Sequence, residues 1–216
     1  MPSLLRASLF TATVFSVACG GSKPAANSTT PEPESHPLSG IVGQNIIIAP
    51  VQAMRAAPEL GWTGLPAARP LLARLDSAIA DSVRSRVGNL QWVFADGVAK
   101  AAANNPTYAT DPRALAVNPL RSPALKVNDR LPEPLASQLR TMIAFQDARL
   151  VLVPVELRFE RTEAGLGRPA VRLVLVDPRL SVVRWIGEVK GADSPAFTPD
   201  YFVPIAARFA DLFVAK

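Results

Sequence analysis

Chemistry has few places to start in this chain. Its 216 residues include one Cys, Cys19, and one His, His36. That leaves no material for a zinc cluster or a disulfide framework, and little for histidine-based catalysis. No GxSxG, Walker loop, GxGxxG, HExxH, SxxK or CxxC occurs, so the common nucleophile, phosphate and metal signatures are missing. Gly165-Leu166-Gly167 stands between two expected strands and opens no helix, which makes it a hairpin turn rather than a phosphate cradle. What remains is a set of carboxylates and guanidiniums: Glu156, Glu160 and Glu188 alternate with Arg158, Arg172 and Arg184. Such a set either pairs across neighbouring strands as a solvated ladder of modest energy or supplies an acid pair for glycoside cleavage, which only separation in space decides. With no nucleophile or base motif beside it, the ladder is the favoured reading. These six residues are therefore taken as a possible interaction face, and no catalytic, cofactor-binding or metal-ligating residue, and no cofactor, is assigned.

The position of Cys19 carries more than its count. Arg6 precedes an apolar run, residues 7–17, that is shorter than the roughly 20 residues of a membrane-spanning helix, as in the charged and apolar regions of a secretory signal. The run ends in Ser16-Val17-Ala18-Cys19-Gly20-Gly21, which resembles a bacterial lipobox: Ala18 is the small residue before the invariant Cys, although Ser16 stands where Leu is usual. The resemblance implies a signal peptide over 1–18 and lipidation of Cys19. Gly20, in place of the Asp that favours inner-membrane retention, implies an outer-membrane anchor facing the periplasm. The alternative is cleavage by the general signal peptidase, because Ser16-Val17-Ala18 also satisfies the small-x-small rule; Cys19 would then be an ordinary thiol.

Residues 19–40 follow as a Pro-, Ser- and Thr-rich stretch with almost no large apolar side chain, expected to act as an extended tether between the lipidated Cys and the folded part. His36 falls in it and is expected to be a solvated linker residue, with a weak metal contact as the lesser alternative. The formal charge of +5 does not point to nucleic acid, since the arginines are spread along the chain without interleaved aromatics. Anionic headgroups, acidic envelope polymers or an acidic protein patch are the more natural counterparts.

The elements that must position these residues are expected in a single α/β (α+β) domain over 41–216, with 49% hydrophobic residues to fill its core. Residues 43–51 read as a central strand and Leu90–Ala95 as a second, with a helix between them on Leu72, Leu75, Ile79, Val83 and Val87 that Gly88 stops. This is a β-α-β start with parallel strands. A short helix, 97–103, precedes a Pro-rich irregular insertion over 104–134, whose Leu115, Val117, Leu120, Leu125 and Val127 are expected to lie against the body. A helix opening at Pro134 leads to an antiparallel three-stranded meander over 149–160, 169–177 and 181–190. Val151, Val153, Val155, Leu157 and Phe159 are expected on one side of its first strand, with Glu156, Arg158 and Glu160 on the other, and Val183, Trp185 and Val189 continue the buried face. A closing helix follows Thr198-Pro199-Asp200, giving a mixed sheet of about five strands with helices packed on it.

This element order, with Gln44–Val51, Ala148–Val155, Leu173–Pro178 and Arg184–Glu188 as the stretches that carry it, resembles the periplasmic α/β domain of LpoB-type lipoprotein activators, of the curli-secretion lipoprotein family and of the N-terminal domain of TolB. Ser181-Val182 stands where the usual turn glycine would be, and the resemblance brings no site residues with it. The expected function is a non-enzymatic envelope lipoprotein, membrane-anchored, that docks another envelope protein or associates with itself. A binding module for a small ligand or envelope glycan, using a cleft between insertion and sheet near Trp62 or Trp92, is the alternative, and a carboxylate-dependent hydrolase is the second alternative.

Overall fold

Three isoleucines open the sheet, and all three are buried. In the computed structural model, which describes residues 36–62, 65–88 and 91–214, strand β1 (Ile46–Ile48) pairs in parallel with β3 (Leu150–Arg161), Ile46 facing Leu150. Its other edge takes Val93 in a parallel bridge: Ile48 N–H donates to the Val93 carbonyl at 2.8 Å and Val93 N–H to the Ile46 carbonyl at 2.9 Å. Helix α1 (Ala68–Val87) connects them, with Leu72, Leu75, Ile79 and Val83 buried as their spacing requires, and stops at Gly88, whose φ of 82° suits a residue without Cβ. The β-α-β start is thus present, but over its described residues, 91–95, the second strand expected at Leu90–Ala95 is reduced to that bridge. Trp92 and Phe94 turn into the core, and α2 (Ala95–Asn104) begins at once, leaving no residues to extend the pairing.

The fifth strand is one that no sequence pattern announced. β2 (Met54–Ala56) pairs in parallel with the second half of β3, Met54 facing Leu157, on the same edge that β1 uses for the first half. Pro154 explains the division. A proline in a central strand would break a ladder; here it falls where β1 has left the edge and β2 has not yet joined, and its carbonyl accepts Gln52 N–H at 3.1 Å. The pairing of β3 with β4 (Gly167–Asp177) also shifts register between Pro154 and Glu156.

That bulge corrects the expected sidedness. Val151, Val153 and Val155 share one core cluster, whereas Leu157 and Phe159 belong to the other, because an extra residue reverses the alternation. A second shift between Leu175 and Val176 does the same where β4 pairs with β5 (Val182–Lys190): Val183 lies on one face, Trp185 and Val189 on the opposite one.

The domain is α+β, a mixed five-stranded sheet in the order β1-β3-β4-β5, with β2 beside β3 and cover on both faces. On one face α1 and α4 (Phe202–Asp211) bury Leu75, Ile79, Ile205 and Phe209 over Leu152, Leu157, Phe159 and Leu173. On the other, α3 (Leu135–Ala144) and the insertion place Leu115, Val117, Leu120, Leu135 and Leu139 over Val151, Val153, Val174 and Val176. Leu125 is partly buried, but Val127 is half exposed and contributes nothing to this layer. With six prolines the insertion cannot build a ladder of its own, so side chains satisfy its backbone. Gln52 accepts Leu115 N–H at 3.0 Å and donates to the Pro112 carbonyl at 2.8 Å, and Gln138 accepts Ala116 N–H at 2.9 Å.

Residues 1–18, Cys19 and the tether as far as residue 35 lie outside the described residues. Contacts with the domain are already present ahead of the boundary expected at 41. Leu38 is buried and its N–H donates to the Leu212 carbonyl at 3.0 Å, and His36 is no free linker residue, its Nδ1 lying 2.6 Å from the Asp211 carbonyl. One apolar residue with a slot beside α4 suffices to seat residues 36–40, which composition alone reads as tether.

Candidate functional site

The bulges decide which charged side chains meet. After the shift at Pro154, β3 sends Glu156, Arg158 and Glu160 to the face that the insertion covers, beyond the valines it shields. β4 sets Arg172 opposite Glu156 and Arg168 opposite Glu160, and β5 sets Glu188 opposite Arg172 and Lys190 opposite Ala170. Five of the six expected face residues, Glu156, Arg158, Glu160, Arg172 and Glu188, therefore share one half-face, joined by Arg168 and Lys190.

Arg158 is the hub. Its Nε donates to Glu160 Oε1 at 2.9 Å and its Nη2 donates to Glu188 Oε2, while Lys190 Nζ lies 3.3 Å from Glu188 Oε1. Burial alone would lower the Arg158 guanidinium, but Glu188 and Glu160 outweigh it and hold it above its ordinary value. Toward the hairpin end, Arg168 Nη2 donates to Asp193 Oδ2 at 2.8 Å, and this bond raises the guanidinium and lowers the carboxyl.

Two members depart from a solvated ladder. Glu156 is 7% exposed, under the edge of the insertion, with Arg121 Nε 3.6 Å from its Oε1. Arg172 sits in register between two glutamates, yet its hydrogen bonds go to the insertion: Nε to the Leu120 carbonyl and Nη2 to the Ser122 carbonyl, both 2.9 Å. A chain segment short of backbone partners outcompetes both flanking carboxylates for this guanidinium. Arg184 does not belong to the face at all. The shift in β5 takes it off this face, and its place at the start of the strand sets it at the other end of the sheet, where its Nη2 is 3.7 Å from Asp177 Oδ2.

The half-face ends at an uncovered sheet edge. β5 is the last strand, capped at its two ends: Asn128 N–H donates to the Val183 carbonyl at 2.8 Å and Val183 N–H to the Asp129 carbonyl at 3.0 Å, and Arg208 Nη1 donates to the Lys190 carbonyl. From Arg184 to Lys190 no strand flanks the outer side among the described residues. The 2.7 Å bond from Gly191 N–H to the Pro169 carbonyl sets the alternation. Val189, Gly187 and Trp185 turn their backbone groups to β4, and Ile186 and Glu188 turn theirs outward.

Between the insertion and the edge of the sheet lies an open groove of about 300 Å³, lined among others by Gln52, Met54, Arg69, Asp111 and Arg113, and neither Trp62 nor Trp92 lines it. Trp92 is buried against Phe213 with its Nε1 donating to the Gln44 carbonyl, and Trp62 stacks on Tyr201 beside Phe159. The space between α2, the insertion and α3 amounts to about 20 Å³, well below the size of a ligand cavity. Among the described residues, no three His, Cys, Asp or Glu side chains converge to hold a metal ion.

Asp76 is a buried polar residue that pattern reading passed over. It lies on the buried stripe of α1, accepts Val51 N–H at 2.8 Å and pairs with Arg113 Nη1 at 2.6 Å. Burial raises its carboxyl above the ordinary value, against the opposing pull of Val51 and Arg113. Its role is to fasten the insertion to α1 and the end of β1. The signal was available, since an Asp inside the Leu72-Leu75-Ile79 spacing needs a partner.

No protein-family model matches the chain, and no curated protein does. Among solved structures, the PelC dodecamer from Paraburkholderia phytofirmans in space group P6 is similar with a TM-score of 0.36 and 12% identity, covering 81% of this chain and 90% of that one. A substituted form of the same PelC dodecamer, in space group C2, gives a TM-score of 0.34 and 12% identity, covering 80% and 90%. Likeness at this level assigns neither family nor activity.

Proposed function

We propose that this chain is a non-enzymatic lipoprotein, anchored through Cys19 to the outer membrane and facing the periplasm, whose domain docks an envelope protein or a second copy of itself along the outer edge of β5. The observation that carries the docking reading is that edge: Arg184–Lys190 without a neighbouring strand among the described residues, bordered by the Arg158, Glu188 and Lys190 charges. An open edge offers main-chain donors and acceptors to an added strand, and alternate side chains set its specificity. The same charges would guard the edge against indiscriminate pairing. The anchor rests on the lipobox spacing, and the missing catalytic motifs support a binding rather than an enzymatic role.

Fractionation of cells carrying Cys19→Ser tests the anchor. The variant is expected in the soluble periplasmic fraction, and its retention in the membrane would overturn lipidation at Cys19. Crosslinking with a membrane-permeable reagent, followed by affinity recovery, is expected to yield an envelope partner or an oligomer; recovery of the monomer alone would overturn the docking role.

A further inference from the structure

At the end of the sheet away from the β3–β4 hairpin lies an open groove of about 850 Å³. The start of β3, the end of β4, the start of β5 and residues 37–45 enclose it. Leu38, Ile41, Leu150, Leu175 and Trp185 line it with apolar surface, and Arg149, Arg179 and Arg184 line it with charge.

Asp177 organises the cationic side. It is 1% exposed, and its Oδ1 accepts the N–H groups of Arg179 at 3.1 Å and Leu180 at 3.2 Å, which fixes the turn that carries Arg179. Its Oδ2 lies 3.7 Å from both Arg149 Nη2 and Arg184 Nη2. That distance holds two like charges near each other but lies beyond hydrogen-bond range. Arg179 makes no ion pair among the described residues, and none of the three guanidiniums donates a hydrogen bond to a described residue. Asp147 is the other carboxylate of the lining. Two guanidiniums with unused donors thus converge on one carboxylate already occupied by its own turn, and Arg179 lines the same groove with its donors unused.

We propose that this groove binds a phosphate-bearing amphiphile, the phosphate spanning Arg149, Arg179 and Arg184 and the apolar part lying along Ile41 and Trp185. A planar guanidinium meets phosphate oxygens with paired donors, so several guanidiniums are served by an anion with several oxygens. The apolar lining gives a purely ionic ligand nothing to cover, whereas a lipid-like one fills it. Inorganic phosphate and a lipid headgroup share the recognised chemistry, and the lining favours the second. This site is separate from the β5 edge and does not depend on it.

The test is calorimetric titration of the full chain carrying Cys19→Ser, so that no attached lipid competes, with three probes: dihexanoyl phosphatidic acid, dihexanoyl phosphatidylcholine and inorganic phosphate. Saturable binding of the phosphatidic acid is expected, at least about tenfold tighter than either of the others. Arg149→Gln combined with Arg184→Gln is expected to weaken it by about tenfold or more, and Arg179→Gln alone, an exposed turn position that leaves the fold intact, by about threefold or more. Absence of binding, equal affinity for the phosphatidylcholine, equal affinity for inorganic phosphate, or full affinity in Arg179→Gln would each overturn the proposal.

Discussion

Arg158, Arg168 and Arg172 on the charged half-face each donate side-chain hydrogen bonds to a carboxylate or carbonyl of the protein, whereas at the other end of the same sheet Arg149 and Arg184 share one buried carboxylate at 3.7 Å, Arg179 pairs with none, and none of the three guanidiniums donates a hydrogen bond to a described residue. The residue type is the same and the sheet is the same; only the supply of acceptors differs. Arginines whose donors are used hold the fold together, and those whose donors are idle are available to a ligand. The count of charged residues does not separate the two, because it takes no account of which carboxylate each guanidinium reaches.

Removing the group that organises the groove should have the largest effect. Asp177→Ala leaves two turn N–H groups without their acceptor and two guanidiniums unopposed, and is expected to cost about 3 kcal/mol in urea unfolding. A loss well under about 1 kcal/mol would mean that Asp177 does not anchor the turn. Next comes the half-face: Arg172→Met removes two charge-assisted bonds to the insertion and is expected to cost about 1.5–3 kcal/mol. Hydrogen exchange should accelerate around Leu120–Ser122, and unchanged exchange there would detach Arg172 from that role.

A matched pair sharpens the contrast directly. Arg158→Met is expected to lose about 1 kcal/mol, since the hub is 21% exposed and its pairs are partly screened. Arg179→Met is expected to stay within about 0.5 kcal/mol of the parent. Equal losses for both would erase the distinction between used and idle arginines.

The smallest effects are in pH dependence, where two carboxyls differ in sign. Asp76 is raised by burial, so the folded state holds its proton more tightly than the unfolded chain. Its stabilising contribution is full below the ordinary value of 3.8 and falls as pH rises through the elevated folded value. Asp193 is lowered by Arg168, so its contribution is present above 3.8 and is lost as pH falls through the folded value. Urea unfolding across the acid range should show the first slope vanish in Asp76→Asn and the second, smaller one in Asp193→Asn. Parallel profiles for parent and variants would contradict these assignments.

Much of the fold was legible in the residues. The spacing in α1, the valine-rich runs of β3 and β4 and the turn at Asp177-Pro178 placed helices and meander because each obeys a local period that packing then uses. β2 escaped because Met54–Ala56 has no pattern of its own; it exists only where Pro154 leaves the edge of β3 vacant. Both sidedness errors, at Leu157 and at Trp185, come from one-residue register shifts, which no alternation rule can anticipate. Five of the six candidate face residues met because three of the strands carrying them were correctly read. Arg184 left the face through the second shift and lies at the far end because it starts β5, and Glu156 was buried by an insertion whose path the sequence left open.

The central claim, that the free edge of β5 is the docking surface, is tested most directly by a photocrosslinking amino acid placed at position 190 in the intact, membrane-associated protein, with position 81 on the outer side of α1 as the control. The account predicts a discrete crosslinked species, a partner or a dimer, from position 190 and none from position 81. Equal crosslinking from both positions, or none from position 190, would contradict it.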